Sequence, residues 1–409
     1  MVARRRRFLP RLLALAIGCL LACVLGELAA TIHAWLRFGT VSVARLHDLE
    51  QGNAFLRTTD EPYLNTLFPH PYLGFVHDRN FGGAEVNNIG LFGGRPMPLS
   101  RREDTFTILV LGGSVAAQFA QTNSEGEHAL EDLLNSQYDF DGKRAVVLNG
   151  ADGGWKQPQQ LIALSLYGDV VDAVISLEGF NELRALSARR LEYLADFVRV
   201  DPLARAGVQA FARAAVGSAL HDLSRHNGFV ASSRALYFAG KSLRSALVSL
   251  FDLPPHEVAQ MNPIESVFAL PAEWGMEQRV RYNVAQYEKY LRLTDRVAAE
   301  LGLQRAFFLQ AVPAIGKVLT ADEQRALGPE GTDYGPLYQL LVDRLLRLRA
   351  SGVQVFSLLD VFADEPRTIY ADAAHCRADL PRNGSTGYRI IAQRIATVLE
   401  RAWGLRRRS

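Results

Sequence analysis

The sequence predicts an α/β fold: a parallel sheet with helices on both faces. Three observations lead there. Five short runs rich in Val, Ile, Leu and Phe stand well separated along the chain. They are apolar without alternation, as strands covered on both faces require. Helical patterns lie between several of them, giving the strand–helix rhythm of a parallel sheet. The 409 residues are 48% hydrophobic and 22% charged, which excludes a disordered chain, a collagen-like repeat and a disulfide scaffold.

The chain opens with Arg4, Arg5, Arg6, Arg7 and Arg11, followed by an uncharged run from Leu12 to Gly26. That run is 15 residues long, short of the roughly 20 that span a bilayer. Counting from Phe8 with a snorkelling Arg11, or continuing past Glu27 through LAATIHAWL, reaches spanning length. A cleaved signal peptide is the rival reading. No A-x-A site follows the run, and apolar residues continue past Cys23, so a retained anchor over residues 1–38 is preferred. The basic flank then stays in the cytoplasm and the rest lies outside it. This describes a single-pass inner-membrane protein whose membrane partner is its own N-terminal helix. The net charge of +2 depends on the termini. Without Arg4–Arg7, Arg11 and Arg406–Arg408, 37 basic residues face 43 acidic ones, and a nucleic-acid role has no electrostatic support. Cys19 and Cys23 belong to the apolar run, and Cys376 is alone in the body, so no internal disulfide forms there.

Residues 39–103 form a turn-rich extension, with HPYLGFVHD (70–78) and VNNIGLFGG (86–94) as short strands and turns. A main domain over 104–405 follows. Its strands are TFTILVLGG (105–113), RAVVLNG (144–150), DAVISLEG (172–179), RAFFLQAV (305–312) and GVQVFSLL (352–359). Its helices include 127–137, 277–301, 334–350 and 385–403. The last carries Ile391, Ile395, Val398 and Ala402 on one face, with Ser385 or Thr386 as cap. An Ala-, Leu- and Arg-rich helical insertion occupies about 186–270 and carries Phe211, Phe229, Phe238 and Phe251. It is expected to pack its apolar face on the domain; a lid over the site and a surface resting on the membrane are the alternatives.

Several chemistries are excluded. Gly240-Lys241-Ser242 lacks the leading glycine of a phosphate loop, since position 235 is Ala. No metal-like cluster of His, Cys or carboxylates occurs, and no metal or cofactor is expected. What remains lies at the C-terminal ends of the strands, where open parallel sheets place their sites. Leu111-Gly112-Gly113-Ser114 sets a serine at a helix start. Asn149-Gly150-Ala151-Asp152-Gly153-Gly154-Trp155 is a loop whose backbone approaches a ligand closely. Gly179-Phe180-Asn181-Glu182 follows the third strand. Asp372-Ala373-Ala374-His375 is the one D-x-x-H in the sequence, with a spacing that lets a carboxylate orient an imidazole. Singly these read as a cap, turns and a solvated pair. In this order they supply a nucleophile, oxyanion donors, and a base with its orienter.

These blocks resemble those of the SGNH hydrolases, the GDSL-type esterases and lipases, over about residues 105–400. The resemblance implies Ser114 as nucleophile, Gly154 and Asn181 as oxyanion donors beside the Ser114 N–H, and Asp372 and His375 as the rest of the triad. Gly113 stands where that family has the Asp of G-D-S, and Glu182 where it has the Asp after the asparagine; neither is a direct catalytic position. Residues 70–94 also resemble the stretch ahead of the first block in membrane-anchored bacterial members. The implied fold is a three-layer α/β/α sandwich, flavodoxin-like, around a five-stranded parallel sheet. The implied activity is cofactor-free hydrolysis of a carboxylic ester through an acyl-enzyme. The anchor directs the expectation to envelope substrates such as O-acylated polysaccharide. Acyl transfer by the same serine, and a non-catalytic carbohydrate-binding or assembly role, stay open. Trp155, Lys156 and Gln157 follow the oxyanion glycine and are candidates for substrate contact or loop packing. Gln310 ends the fourth strand near the site edge. Cys376 adjoins His375 but has no activating surroundings in the sequence. The oligomeric state is not legible.

Overall fold

The protein is described from a computed structural model, covering residues 8–38, 40–43, 46, 67–77, 86–124, 128–186, 233–249, 270–328, 331–380 and 384–408. Phe211, Phe229 and Phe251 lie outside these residues. In chain order, α1 spans Phe8–Phe38, followed by β1 (Leu67–His70), β2 (Gly74–His77), β3 (Thr105–Gly112), α2 (Ser114–Ser124) and α3 (Ala129–Gln137). Next come β4 (Tyr138–Asp139), β5 (Arg144–Asn149), α4 (Gln159–Tyr167), β6 (Ala173–Glu178), α5 (Phe180–Ala185) and α6 (Arg234–Ser249). The chain continues through α7 (Met276–Glu300), β7 (Gln304–Leu309), α8 (Ala321–Leu327), α9 (Gly335–Leu346), β8 (Val355–Ser357), α10 (Thr386–Ala402) and β9 (Arg406–Arg407).

The chain divides into two compact units. The larger holds a five-stranded sheet of order β5-β3-β6-β7-β8, every pairing parallel. This is the flavodoxin-like order, and the direction of winding reverses between β3 and β6. Burial on both faces explains why the runs do not alternate: all six residues of β6, and the last six of β3, are buried. On one face Ile108, Val110, Ile175 and Phe308 pack with Phe119 of α2, Leu134 of α3 and Ile391, Ile395 and Leu399 of α10. On the other, Phe307, Leu309 and Val355 pack with Tyr287 and Leu291 of α7 and Tyr338, Leu341 and Leu345 of α9. The α/β/α layering expected from the sequence is therefore present. The fifth strand is shorter than its apolar run, because Leu358 and Leu359 lie in the turn that leaves β8. Ser385 caps α10, accepting the Tyr388 N–H at 3.3 Å. The buried line of α10 also takes in Ala392, Ala396 and Leu399, leaving Val398 and Ala402 at its edge.

Residues 68–77 and 86–103 group with the α/β unit. The reason is side-chain bonding into its loops. Gln159 Nε2 donates to the Leu73 carbonyl at 2.7 Å, Asn149 Nδ2 to the Phe92 carbonyl at 2.8 Å, and Phe75 packs on Trp155. Of the insertion, residues 233–249 fall in the unit that contains α1. Within that unit α6 packs on α1. Glu27, the residue that interrupts the apolar run, accepts the Ser233 hydroxyl at 2.7 Å and the Arg234 and Ala235 N–H groups at 3.0 and 3.1 Å. It also pairs with the Arg234 guanidinium at 2.8 Å. A carboxylate at a helix start satisfies donors that have no partner inside the helix. Ala34, Val43, Leu46 and Tyr237 close a small apolar cluster beside it. In α1, Ala14–Leu36 is long and apolar enough to cross a membrane.

Candidate active site

The site lies where β3 and β6 end side by side, at the point where the sheet reverses its winding. Gly112 pairs in register with Leu177, and its φ is +144°. A Cβ there would stand 2.2 Å from the Leu177 carbonyl oxygen, so the sharp turn from β3 into α2 requires glycine. Ser114 is the first residue of α2. Its N–H belongs to the first turn, where no intrahelical acceptor exists.

His375 arrives from a bend ahead of α10. Its Nε2 is 2.7 Å from Ser114 Oγ, and its Nδ1 is 2.8 and 2.9 Å from the two carboxylate oxygens of Asp372. Asp372 Oδ1 also accepts the Ala374 and His375 N–H groups at 2.8 and 2.9 Å, which folds the D-x-x-H segment back on itself. Burial alone would raise the Asp372 carboxyl; the His375 ring and the two N–H donors outweigh it and hold the group at about 2. Asp372 is thus a carboxylate at any ordinary pH. With Nδ1–H donated to that carboxylate, Nε2 is left as the acceptor for the Ser114 hydroxyl.

The bend is held from below by a residue the sequence reading missed. Glu323 of α8 accepts the Ile369 and Tyr370 N–H groups at 2.8 and 3.0 Å, and its second oxygen pairs with Lys317 Nζ at 2.9 Å. Both side chains are fully buried. The signal was present: Thr320-Ala321-Asp322-Glu323 is a capping box, and the Thr320 N–H donates to Glu323 Oε2 at 2.8 Å.

Opposite His375 stands the loop after β5. Gly154 has φ +80°, and a Cβ there would meet nothing within 4 Å, so the left-handed backbone alone calls for glycine. Asn181, in the first turn of α5, donates Nδ2 to the Trp155 carbonyl at 2.8 Å. That amide keeps a second N–H. Gly113, where the resembled family has Asp, packs directly against it: a Cβ at 113 would lie 2.1 Å from Asn181 Nδ2. Sequence reasoning also missed His77, whose Nε2 lies 2.8 Å from Asp152 Oδ1, both side chains fully buried under this loop.

Trp155 and Gln157 are not available to a substrate. Both are fully buried, Trp155 against Phe75 and Gln157 among the carboxyls of Glu178 and Glu182. Lys156 is buried as well. Gln310 is buried: its backbone N–H donates to the Glu178 carbonyl at 3.0 Å and its backbone carbonyl accepts the Tyr338 hydroxyl at 2.9 Å, while its side-chain Nε2 has no hydrogen-bond partner among the described residues. Cys376 is buried, and burial followed by the nearby carboxylates pushes its thiol well up, away from thiolate chemistry. A groove of about 870 Å³ opens beside His375, lined by Gln118, Gln121, Thr368, Arg377 and Tyr388 among others. Among the described residues no group of His, Cys, Asp and Glu could hold a metal ion.

No family model and no curated relative matches the chain. Among solved structures it is similar to a Bacteroides fragilis protein described as a "putative acylhydrolase", at 9% identity and a TM-score of 0.33. That likeness covers 75% of this chain and 91% of the other. So slight a likeness bears on neither family nor activity, and the site's own geometry has to carry the reading.

Proposed function

We propose that the protein is a serine hydrolase that cleaves a carboxylic ester through an acyl-enzyme. One observation carries this: the unbroken chain from Ser114 Oγ through His375 to Asp372, with links of 2.7 and 2.8 Å. A non-catalytic binding role would not require that alignment. His375 Nε2 takes the Ser114 proton as Oγ attacks the ester carbonyl, and Asp372 supports the imidazolium that forms. The oxyanion is received by the Ser114 and Gly154 N–H groups and the second N–H of Asn181. His375 then returns the proton to the departing alcohol, and water, deprotonated by the same imidazole, releases the acid.

Gln118, Gln121, Thr368 and Arg377 give the groove hydrogen-bonding groups for a hydroxyl-rich alcohol, such as an O-acylated glycan. With α1 as anchor and its basic flank in the cytoplasm, the substrate belongs outside the inner membrane. A fluorophosphonate probe should label the wild type and fail on Ser114→Ala, which should also lose turnover on short-chain esters and acetylated glycans. Full hydrolysis by Ser114→Ala would sink the reading. Acyl groups appearing on an added sugar acceptor would convert hydrolase into transferase without changing the residues.

A further inference from the structure

Behind Asn181 lies a buried acid pair that the reaction above does not use. Glu182 Oε2 accepts the Gly179 N–H at 2.8 Å, and Oε1 accepts the Gln157 N–H at 3.0 Å and Gln160 Nε2 at 3.2 Å. Gln157 also reaches the second acid, its Nε2 lying 3.2 Å from Glu178 Oε2, while the Ser176 hydroxyl donates to Glu178 Oε1. Glu178, Glu182 and Gln157 are all buried. Two ties therefore join the loop after β5 to the start of α5. The Asn181–Trp155 bond faces the site, and the Glu182 carboxylate holds the same two segments from the inside.

We propose that Glu182 is a positioning residue, whose carboxylate locks the backbone at Gln157 to the backbone at Gly179 and so fixes the Asn181 amide beside Ser114. The inference rests on the oxyanion role given to Asn181 above. It also accounts for the residue type. Glu182 reaches across to a second loop while capping its own helix, and an aspartate, one methylene shorter, would hold Gly179 and Gln157 together less well.

The lock requires that the pair carry a single charge. Glu178 is pushed up to about 8 by burial first and by the Glu182 charge second, against the Ser176 and Gln157 hydrogen bonds. Glu182, also raised by burial, is the better supplied with donors and bears the charge. The other titratable groups facing the pair are Tyr287 from α7, Tyr338 from α9 and Lys156 from the loop. Both tyrosines are pushed far up by burial and stay neutral. Above about pH 8 Glu178 ionises, and two adjacent buried anions push the ties apart.

The test uses the full-length protein in detergent, with a short-chain aryl ester. Glu182→Gln should lower kcat by about 10- to 100-fold, the scale of a misplaced catalytic group, with KM within about twofold. Glu182→Asp should fall between the two. Glu178→Gln mimics the protonated acid and should move the alkaline limb of the kcat profile upward. Hydrogen exchange read by mass spectrometry should show faster exchange over 153–160 and 179–183 in Glu182→Gln. Unchanged kcat and unchanged exchange in a folded Glu182→Gln would overturn the proposal, as would an alkaline limb that Glu178→Gln leaves in place. A wild type inactive towards every ester would instead overturn the hydrolase reading, and the exchange measurement would still decide whether the tie exists.

Discussion

The position next to the serine shows how one residue sets the rest of the site. Gly113 has no room for a side chain, because the Asn181 amide fills the space a Cβ would take. Gly113→Ala should therefore displace Asn181 or break its bond to Trp155. Losing one oxyanion donor costs about 10²–10³ in turnover, and Gly113→Ala should approach that figure with little change in melting temperature. Steady-state kinetics beside Asn181→Ala provide the check: a fully active Gly113→Ala would show that Asn181 yields without consequence. The sequence showed the departure from G-D-S but not its cause. Residues 113 and 181 are remote in sequence, and only the pairing of β3 with β6 brings them together. Ser114, Asn181, Asp372 and His375 stood out as candidates because each follows a strand or turn with its own local signature, and the fold brings Ser114, His375 and Asp372 into one hydrogen-bonded line. For Trp155 and Gln157 the sequence left substrate contact and loop packing open, because adjacency to Gly154 says nothing about which way a loop side chain turns, and both side chains are buried.

At the scale of elements, the strands were legible and their supports were not. A run such as DAVISLEG declares itself by being apolar at every position, since both faces of β6 are covered. Glu323 looked like an ordinary acid at a helix start. In the fold it is the strut under the His375 bend, holding two backbone N–H groups and a buried ammonium at once. Glu323→Ala leaves Lys317 Nζ in the interior with the Val318 carbonyl but no carboxylate, and strips the acceptor from the Ile369, Tyr370 and Thr320 N–H groups. Breaking one side of a buried pair in this way costs about 3–5 kcal/mol. Denaturant melts should show that loss. Turnover of the surviving folded fraction should also fall, because the bend presenting His375 has lost its anchor. If stability dropped while kcat per labelled serine stayed constant, Glu323 would support the fold but not the bend.

For the molecule as a whole, the decisive residue is Glu27. Composition marked it as a flaw in an apolar run; the structure makes it the cap of α6, and this ties α6 to the N-terminal helix. Exposure along α1 changes at the same point. Every residue from Ala14 to Gly26 is exposed, whereas Glu27, Ala30, Thr31 and Ala34 are partly or fully covered. The segment Ala14–Gly26 is thus a bare part of the helix, within the Ala14–Leu36 stretch that is long and apolar enough to cross a membrane. Two truncations separate anchoring from folding. Deleting residues 1–26 removes the bare segment and keeps Glu27 and Ala34. Deleting residues 1–38 removes the cap as well, at a cost of about 0.5–2 kcal/mol for the lost cap alone, and strips Ala34 from the cluster around Tyr237. In the same mild detergent, limited proteolysis should cut residues 234–249 faster in the longer deletion than in the shorter one. Glu27→Ala in the full-length chain should resemble the longer deletion. Equal cleavage in all three would mean that α6 is held by something other than α1, and the insertion would have to be assigned to a different support.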